Sequence, residues 1–317
     1  MNMHMEYLDF VEQIRRQLLV KTGLGEEQIF FQKKGSQFSE KGDRLFVECA
    51  SFERGREMCG IYITDLYESY VNGTSVVSIL SLILEDLKKM QRFHLYEKTK
   101  DLSSYEKAKH SLFIRLLNVP RHAEELRHAV YRQNGDIALV LYLKLAETEN
   151  SVVSAKVHDE YMGIWGRGRK ELLDMALVNT MRMAPPRIYH WEKLLSDAGY
   201  DGEDFMGAVK NIEEEIQEKS YLGFCLSTTK RTNGAVAIFF PGVAKRLAAV
   251  MGQDLYLAFT SIHEAMVHGT AQLHPEDLER VVKDTIREAT TEDEYLTENI
   301  YRYDRSADTI TCVSEEM

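Results

Sequence analysis

Two stretches of this chain, residues 45–90 and 136–183, read in the same order: two strand-like segments, a short helix, then a long helix. Strands that follow one another through a short turn pair antiparallel, and their alternation with helices of period 3.6 sets the fold class. The order predicts an α+β fold with mixed or mainly antiparallel sheets packed with helices. Asp65-x-Tyr67 and Asp159-x-Tyr161 head the two short helices, which suggests a repeated strand-strand-helix-helix unit.

The local pattern fills in this frame. Tyr7, Leu8, Phe10, Val11, Ile14, Leu18 and Leu19 recur at helical spacing and Gly23 and Gly25 follow, so a helix opens the chain. Residues 45–50 and 58–63 read as a hairpin across a charged turn. A helix over 64–71 ends at Asn72-Gly73, and one over 75–90 is capped by Thr74 and apolar round most of its circumference, which predicts burial against a sheet or other helices. The polar run 97–104 reads as a linker between an N-terminal domain, 1–100, and a C-terminal domain, 101–317. Beyond it the pattern predicts helices over 105–117 and 123–131, strands over 136–145 and 152–157, and helices over 158–165 and 169–183 stopped by Pro185-Pro186. Strands follow over 221–227 and 235–240, then a helix from Pro241 to Gly252, and a strand pair over 255–259 and 262–267. Pro275 opens a last helix with Leu278, Val281, Val282, Thr285, Ile286 and Ala289 inward, before a closing hairpin at Tyr301, Tyr303 and 310–313.

Composition narrows the function classes. The chain has 317 residues, 44% of them hydrophobic and 28% charged, enough for two ordinary cores. Its longest apolar stretch, 76–84, is broken by Ser78 and Ser81, far short of the ~20 apolar residues of a spanning helix. Glu6, Asp9 and Glu12 leave the N-terminus without the basic and apolar regions of a secretory signal. Cys49, Cys59, Cys225 and Cys312 form no C-x-x-C pair and read as reduced thiols of a cytoplasmic protein, although Cys49 and Cys59 are placed to meet across the first hairpin. The net charge of -11 is concentrated at the end of the chain, where residues 276–317 hold 13 acidic against 5 basic residues. Such a charge disfavours nucleic acid as the main partner, because that binding runs on phosphate neutralisation. It makes the acidic C-terminal region the natural place for a basic protein partner.

Among possible chemical motifs, His263-Glu264-x-x-x-His268 resembles the zinc-protease pattern but has a spacing of five, which on a helix turns the two imidazoles about 140° apart. The local sequence predicts a strand here, where His263 and Glu264 face opposite ways, so no metal site is expected. Ser261 and His263 then share one face, the arrangement that a hydroxyl and a proton acceptor need for nucleophilic chemistry. Trp165-Gly-Arg167-Gly-Arg169-Lys170 has glycines and cations before a helix, but lacks the phosphate-loop fingerprint and reads as a solvated turn. His110, His122 and His128, with Arg115, Arg121, Arg127 and Arg132, lack metal-pair spacing and read as a charged face. No cofactor fingerprint is present, none is expected, and no pattern indicates an oligomeric state.

Residues 61–73, Ile-Tyr-Ile-Thr-Asp-Leu-Tyr-Glu-Ser-Tyr-Val-Asn-Gly, together with Met162-Gly-Ile-Trp-Gly166 and the helix 172–180, Phe240-Pro-Gly-Val243, Asp254-Leu-Tyr256 and Thr260-Ser-Ile-His-Glu264, resemble a bacterial family, the domain of unknown function 5688. The resemblance runs over roughly residues 45–310 and implies a cytoplasmic protein of Firmicutes. It carries no assigned activity. Its most recognisable stretch falls on Ser261, Ile262, His263 and Glu264, where Phe259-Thr260 stands in place of a proline-serine lead-in.

Two expectations follow. One is a non-enzymatic binding or adaptor protein, for want of a catalytic fingerprint. The other is a hydrolase with Ser261, His263 and Glu264 at its centre and a contribution from elsewhere in the chain.

Overall fold

A computed structural model describes residues 5–34, 42–52, 55–92, 103–147, 152–190, 193, 196–197, 199–207, 213–214, 216, 223–271 and 273–313. The chain falls into two compact units, Met1–Lys100 and Asp101–Met317. The polar run 97–104 lies mostly outside the described residues. Among the described residues no helix is long and apolar enough to cross a membrane.

In the first unit, strands β1 (Ile29–Gln32), β2 (Arg44–Phe52) and β3 (Gly55–Tyr62) form an antiparallel sheet in that order. Helices α1 (Tyr7–Thr22), α2 (Ile63–Val71) and α3 (Val76–Arg92) share its core through Phe10, Ile14, Ile63, Ile79 and Ile83. Gly23 closes α1 in the left-handed region (φ +72°) with its amide on Leu19 O. One detail differs from the sequence reading: Ser75, not Thr74, caps α3, its Oγ accepting the Ser78 amide at 3.1 Å. The helix packs against the sheet and α1, as expected, through Ile79, Leu80, Ile83 and Leu87, while Val77 and Leu82 are 74% and 54% exposed.

The second unit holds two antiparallel sheets. In one, β4 (Leu112–Asn118) and β5 (Tyr131–Asn134) flank the long β6 (Ile137–Glu147), and β7 (Val152–Lys156) pairs with the end of β6. The other contains β8 (Pro186–Tyr189), β9 (Phe224–Thr228), β10 (Leu255–Ala258), β11 (Ala265–Gly269), β12 (Tyr301–Asp304) and β13 (Thr309–Cys312), ordered β13-β12-β10-β11-β9-β8. The helices are α4 (Tyr105–Ala108), α5 (Ala123–Leu126), α6 (Glu160–Trp165), α7 (Arg169–Met183), α8 (Val243–Met251) and α9 (Pro275–Ala289). The order β2-β3-α2-α3 of the first unit thus recurs as β6-β7-α6-α7.

Several segments depart from their expected form. Residues 112–118 are strand, not helix: five apolar residues in seven, without strict alternation, fit either, and β6 supplies a ladder along the whole length. At this edge Thr180 of α7 accepts the Ile114 amide and Asn179 donates to Leu112 O, so the helix uses polar groups that the edge would otherwise expose. Residues 131–134 likewise pair with β6. Gly234–Phe239 is a 3-10 turn rather than a strand, and α8 begins at Val243 after a left-handed Gly242. The strand predicted over 262–267 begins only at Ala265, which leaves His263 and Glu264 in a loop.

A buried polar knot joins the two sheets of this unit. Asp136, at the head of β6, accepts Tyr301 Oη at 2.6 Å, Thr297 Oγ1 at 2.8 and 2.9 Å, and Asn118 Nδ2 at 3.3 Å.

Candidate functional site

The β10–β11 pair sets up the site. Ala258 faces Met266 and Tyr256 faces His268 across the ladder. Side chains alternate between faces of a strand, so Met266 and His268 share one face of β11. Helix α9 packs there with Leu278, Val282 and Ile286, spaced four apart on one side, against Ala258 and Met266. Pro275 starts this helix, and Glu276 and Asp277 sit at the positive end of its dipole. Val281 and Thr285, expected to point inward, instead border an opening between helix and sheet, with Val281 58% exposed.

That opening is a cavity of about 640 Å3. Its walls along the sheet and helix are apolar: Ala258, Met266, Leu273, Leu278, Val281 and Val282. Glu264, Met266 and His268 all line this groove between the sheet and α9. One end is polar and comprises Thr260, Ser261, His263, Glu264, Thr290 and Glu294.

The polar end is a stiff loop. Phe259 is fully buried, its ring edge-to-face with Tyr301 at 5.6 Å. Ile262 donates its amide to Glu294 O, and its carbonyl accepts the Ala235 amide. The hydroxyls of Ser227 and Thr290 hold the carbonyls of His263 and Thr260, each at 2.7 Å. The strand expected here does not form because these bonds take the loop's backbone groups away from a ladder.

Within the loop, Ser261 Oγ accepts the His263 amide at 3.0 Å and donates to Glu264 Oε1 at 2.9 Å. Thr260 Oγ1 donates to the same oxygen at 2.5 Å. His263 Nδ1 accepts the Asn233 amide at 3.1 Å, a bond that only an unprotonated Nδ1 can make, so the neutral ring carries its proton on Nε2. Nε2 lies 3.2 Å from Glu294 Oε1 and donates to it. The Thr291 hydroxyl, followed by this histidine, holds the Glu294 carboxyl below the usual range.

His268 also lines the cavity. It is 9% exposed, and its Nδ1 is buried with no hydrogen-bond partner. Burial pushes the imidazole down to about 4, so it is neutral at pH 7. The ring packs on Gly223, which is left-handed (φ +77°) and where any Cβ would overlap the imidazole.

The structure thus brings Ser261, His263 and Glu264 to one cavity wall, with His268 in the same cavity. Ser261 bonds to the glutamate rather than to the imidazole, so the arrangement is not a serine–histidine relay. What it can do is present a carboxylate, Glu264, fixed by two hydroxyls at the end of an apolar groove. Glu294 was missed in the sequence: it comes 31 residues after His263 in an acidic, threonine-rich segment that looks like a solvated turn. Asn233 was missed as well, because its role rests on a left-handed backbone (φ 53°) and not on its side chain. Among the described residues no group of three or more His, Cys, Asp or Glu side chains is arranged to hold a metal ion.

The remaining motifs are tied up locally. Arg167 pairs with Glu171, Lys170 with Asp174, and Arg169 donates to Tyr131 O, so the Gly-Arg turn is a salt-bridged helix start. Arg127 pairs with Glu124, Arg132 with Asp174, and Arg121 stacks on Tyr295.

No curated protein and no solved structure matches the chain. The profile described as "Family of unknown function (DUF5688)" matches residues 7–305, which spans both units and the whole cavity. On that extent of agreement, the chain belongs to the DUF5688 family.

Proposed function

We propose that this chain is a non-enzymatic binding protein and that the groove under α9 holds a small elongated molecule with an apolar body. The observation that carries the reading is the cavity itself, about 640 Å3 with an apolar wall and a few polar groups gathered at one end, the usual make-up of a small-molecule site. The groove favours a small molecule over a protein docked on the acidic C-terminal region, because three of the five carboxylates of α9 are paired along the helix: Asp277 with Arg280, Glu279 with Lys283 and Asp284 with Arg287. A cytoplasmic setting is supported by four cysteines that form no disulfide with one another. The net charge of -11 argues against nucleic acid.

The test is titration with the neutral fluorophore N-phenyl-1-naphthylamine. One saturable site is expected, lost when Thr285→Trp puts an indole into the groove while the thermal unfolding transition is kept. Fluorescence that does not saturate, or is indifferent to Thr285→Trp, counts against the reading.

A hydrolase is the second reading, favoured by the presence of a second histidine and two carboxylates in one cleft. In it Glu264 takes the Ser261 proton as the hydroxyl attacks. Turnover of an ester panel that vanishes in both Ser261→Ala and Glu264→Gln would establish it, and turnover that survives either substitution would remove it.

A further inference from the structure

The charge of the groove indicates what kind of molecule it takes. Among the described residues around the cavity there are two carboxylates, Glu264 and Glu294, and neither lysine nor arginine. Buried or half-buried charges in folded proteins are normally paired. Glu294 has the neutral His263 ring as its partner, and Glu264 has only the hydroxyls of Thr260 and Ser261. Hydroxyls solvate a carboxylate but do not neutralise it. Among the described residues that line the groove, no cationic side chain supplies the countercharge.

A second observation, independent of the acids, indicates an occupant. The cavity is about 640 Å3, and its walls along sheet and helix, Ala258, Met266, Leu273, Leu278 and Val282, are apolar, the make-up of a small-molecule site.

We propose that the groove binds a linear organic cation, an amine or quaternary ammonium carried on an apolar chain, with the cationic head against Glu264 and Glu294 and the chain over Met266, Leu278 and Val282. This rests on the reading of the groove as a small-molecule site and names its ligand class. The head is recognised by charge-assisted hydrogen bonds, which are stronger than neutral ones. An anionic head of the same length meets two like charges instead.

The experiment uses the full chain and displaces N-phenyl-1-naphthylamine with three probes of equal length: n-octylamine, 1-octanol and octanoate. Octylamine is expected to displace at a concentration about tenfold or more below octanol, with octanoate weakest. Glu264→Gln and, separately, Glu294→Gln should each narrow the gap between amine and alcohol. If octanol or octanoate displaces as well as octylamine, the cation preference is overturned while the pocket stands. If the fluorophore does not bind at all, the pocket reading falls and this inference with it. If calcium chloride alone displaces the probe or protects the protein as well as octylamine does, the site takes inorganic cations and the organic ligand is refuted.

Discussion

Replacing His268 by leucine should stabilise the second unit, and by more as the pH is lowered. The imidazole has a folded-state pKa near 4 against 6.5 when unfolded, because burial in the cavity wall opposes its charged form. Between those values the unfolded chain binds a proton that the folded chain refuses. Wild-type stability therefore falls as the pH drops through 6.5, and the loss levels off below 4. The linkage relation gives a loss of about 1.2 kcal/mol between pH 7 and 5.5, and about 3 kcal/mol by pH 4. Leucine does not titrate, so the variant escapes that loss. At pH 7 it also removes a buried nitrogen without a partner, which adds about 1 kcal/mol or more in its favour. The assay is urea unfolding followed by tryptophan fluorescence, since both tryptophans, Trp165 and Trp191, belong to the second unit. Other titrating groups cancel in the difference between the two proteins. Parallel stability profiles from pH 7 to 4 would refute the reasoning, because they would mean that the ring is solvated or partnered in the folded state. A stabilised variant that also loses its ligand would identify His268 as a residue kept for binding at a cost in stability.

Other outcomes follow from the same geometry. Tyr301→Phe removes a donor from the half-buried Asp136 carboxylate and should cost about 2 kcal/mol in the same urea assay; an unchanged midpoint would contradict the polar knot between the sheets. Gly223→Ala forces a left-handed alanine against His268 and should cost more than ~1 kcal/mol; adding His268→Ala should recover part of that loss, and strictly additive costs would show that the contact does not matter. Iodoacetamide at neutral pH should label Cys59 before the other cysteines, because the Cys49 thiol hydrogen-bonds to it and lowers it, while burial pushes Cys225 up to about 12; equal labelling of Cys59 and Cys225 in peptide mapping would count against this.

The opening helix, the two hairpins with their short and long helices, and the last helix with its Pro275 start were legible because each carries a clean period and a stop signal. Residues 112–118 were not, since five apolar residues in seven, without strict alternation, fit a helix or a strand, and only the neighbouring β6 decides between them. The candidate site was half legible. Ser261, His263 and Glu264 stood out by residue type, yet their geometry was misread, because a loop held by Ser227, Thr290 and the carbonyl of Glu294 looks like a strand when those distant partners are unknown. The same holds for the helix face. Val281 and Thr285 sit at inward positions by spacing, and only the cavity beside them explains why they do not pack.

The account rests on the groove under α9 being a ligand site, and methyl NMR of the full chain titrated with n-octylamine tests that most directly. Shifts concentrated on the methyl groups of Met266, Leu273, Leu278 and Val282, saturating at one equivalent site, are the predicted result. Shifts spread over the surface, or confined to methyls outside the groove, would contradict it.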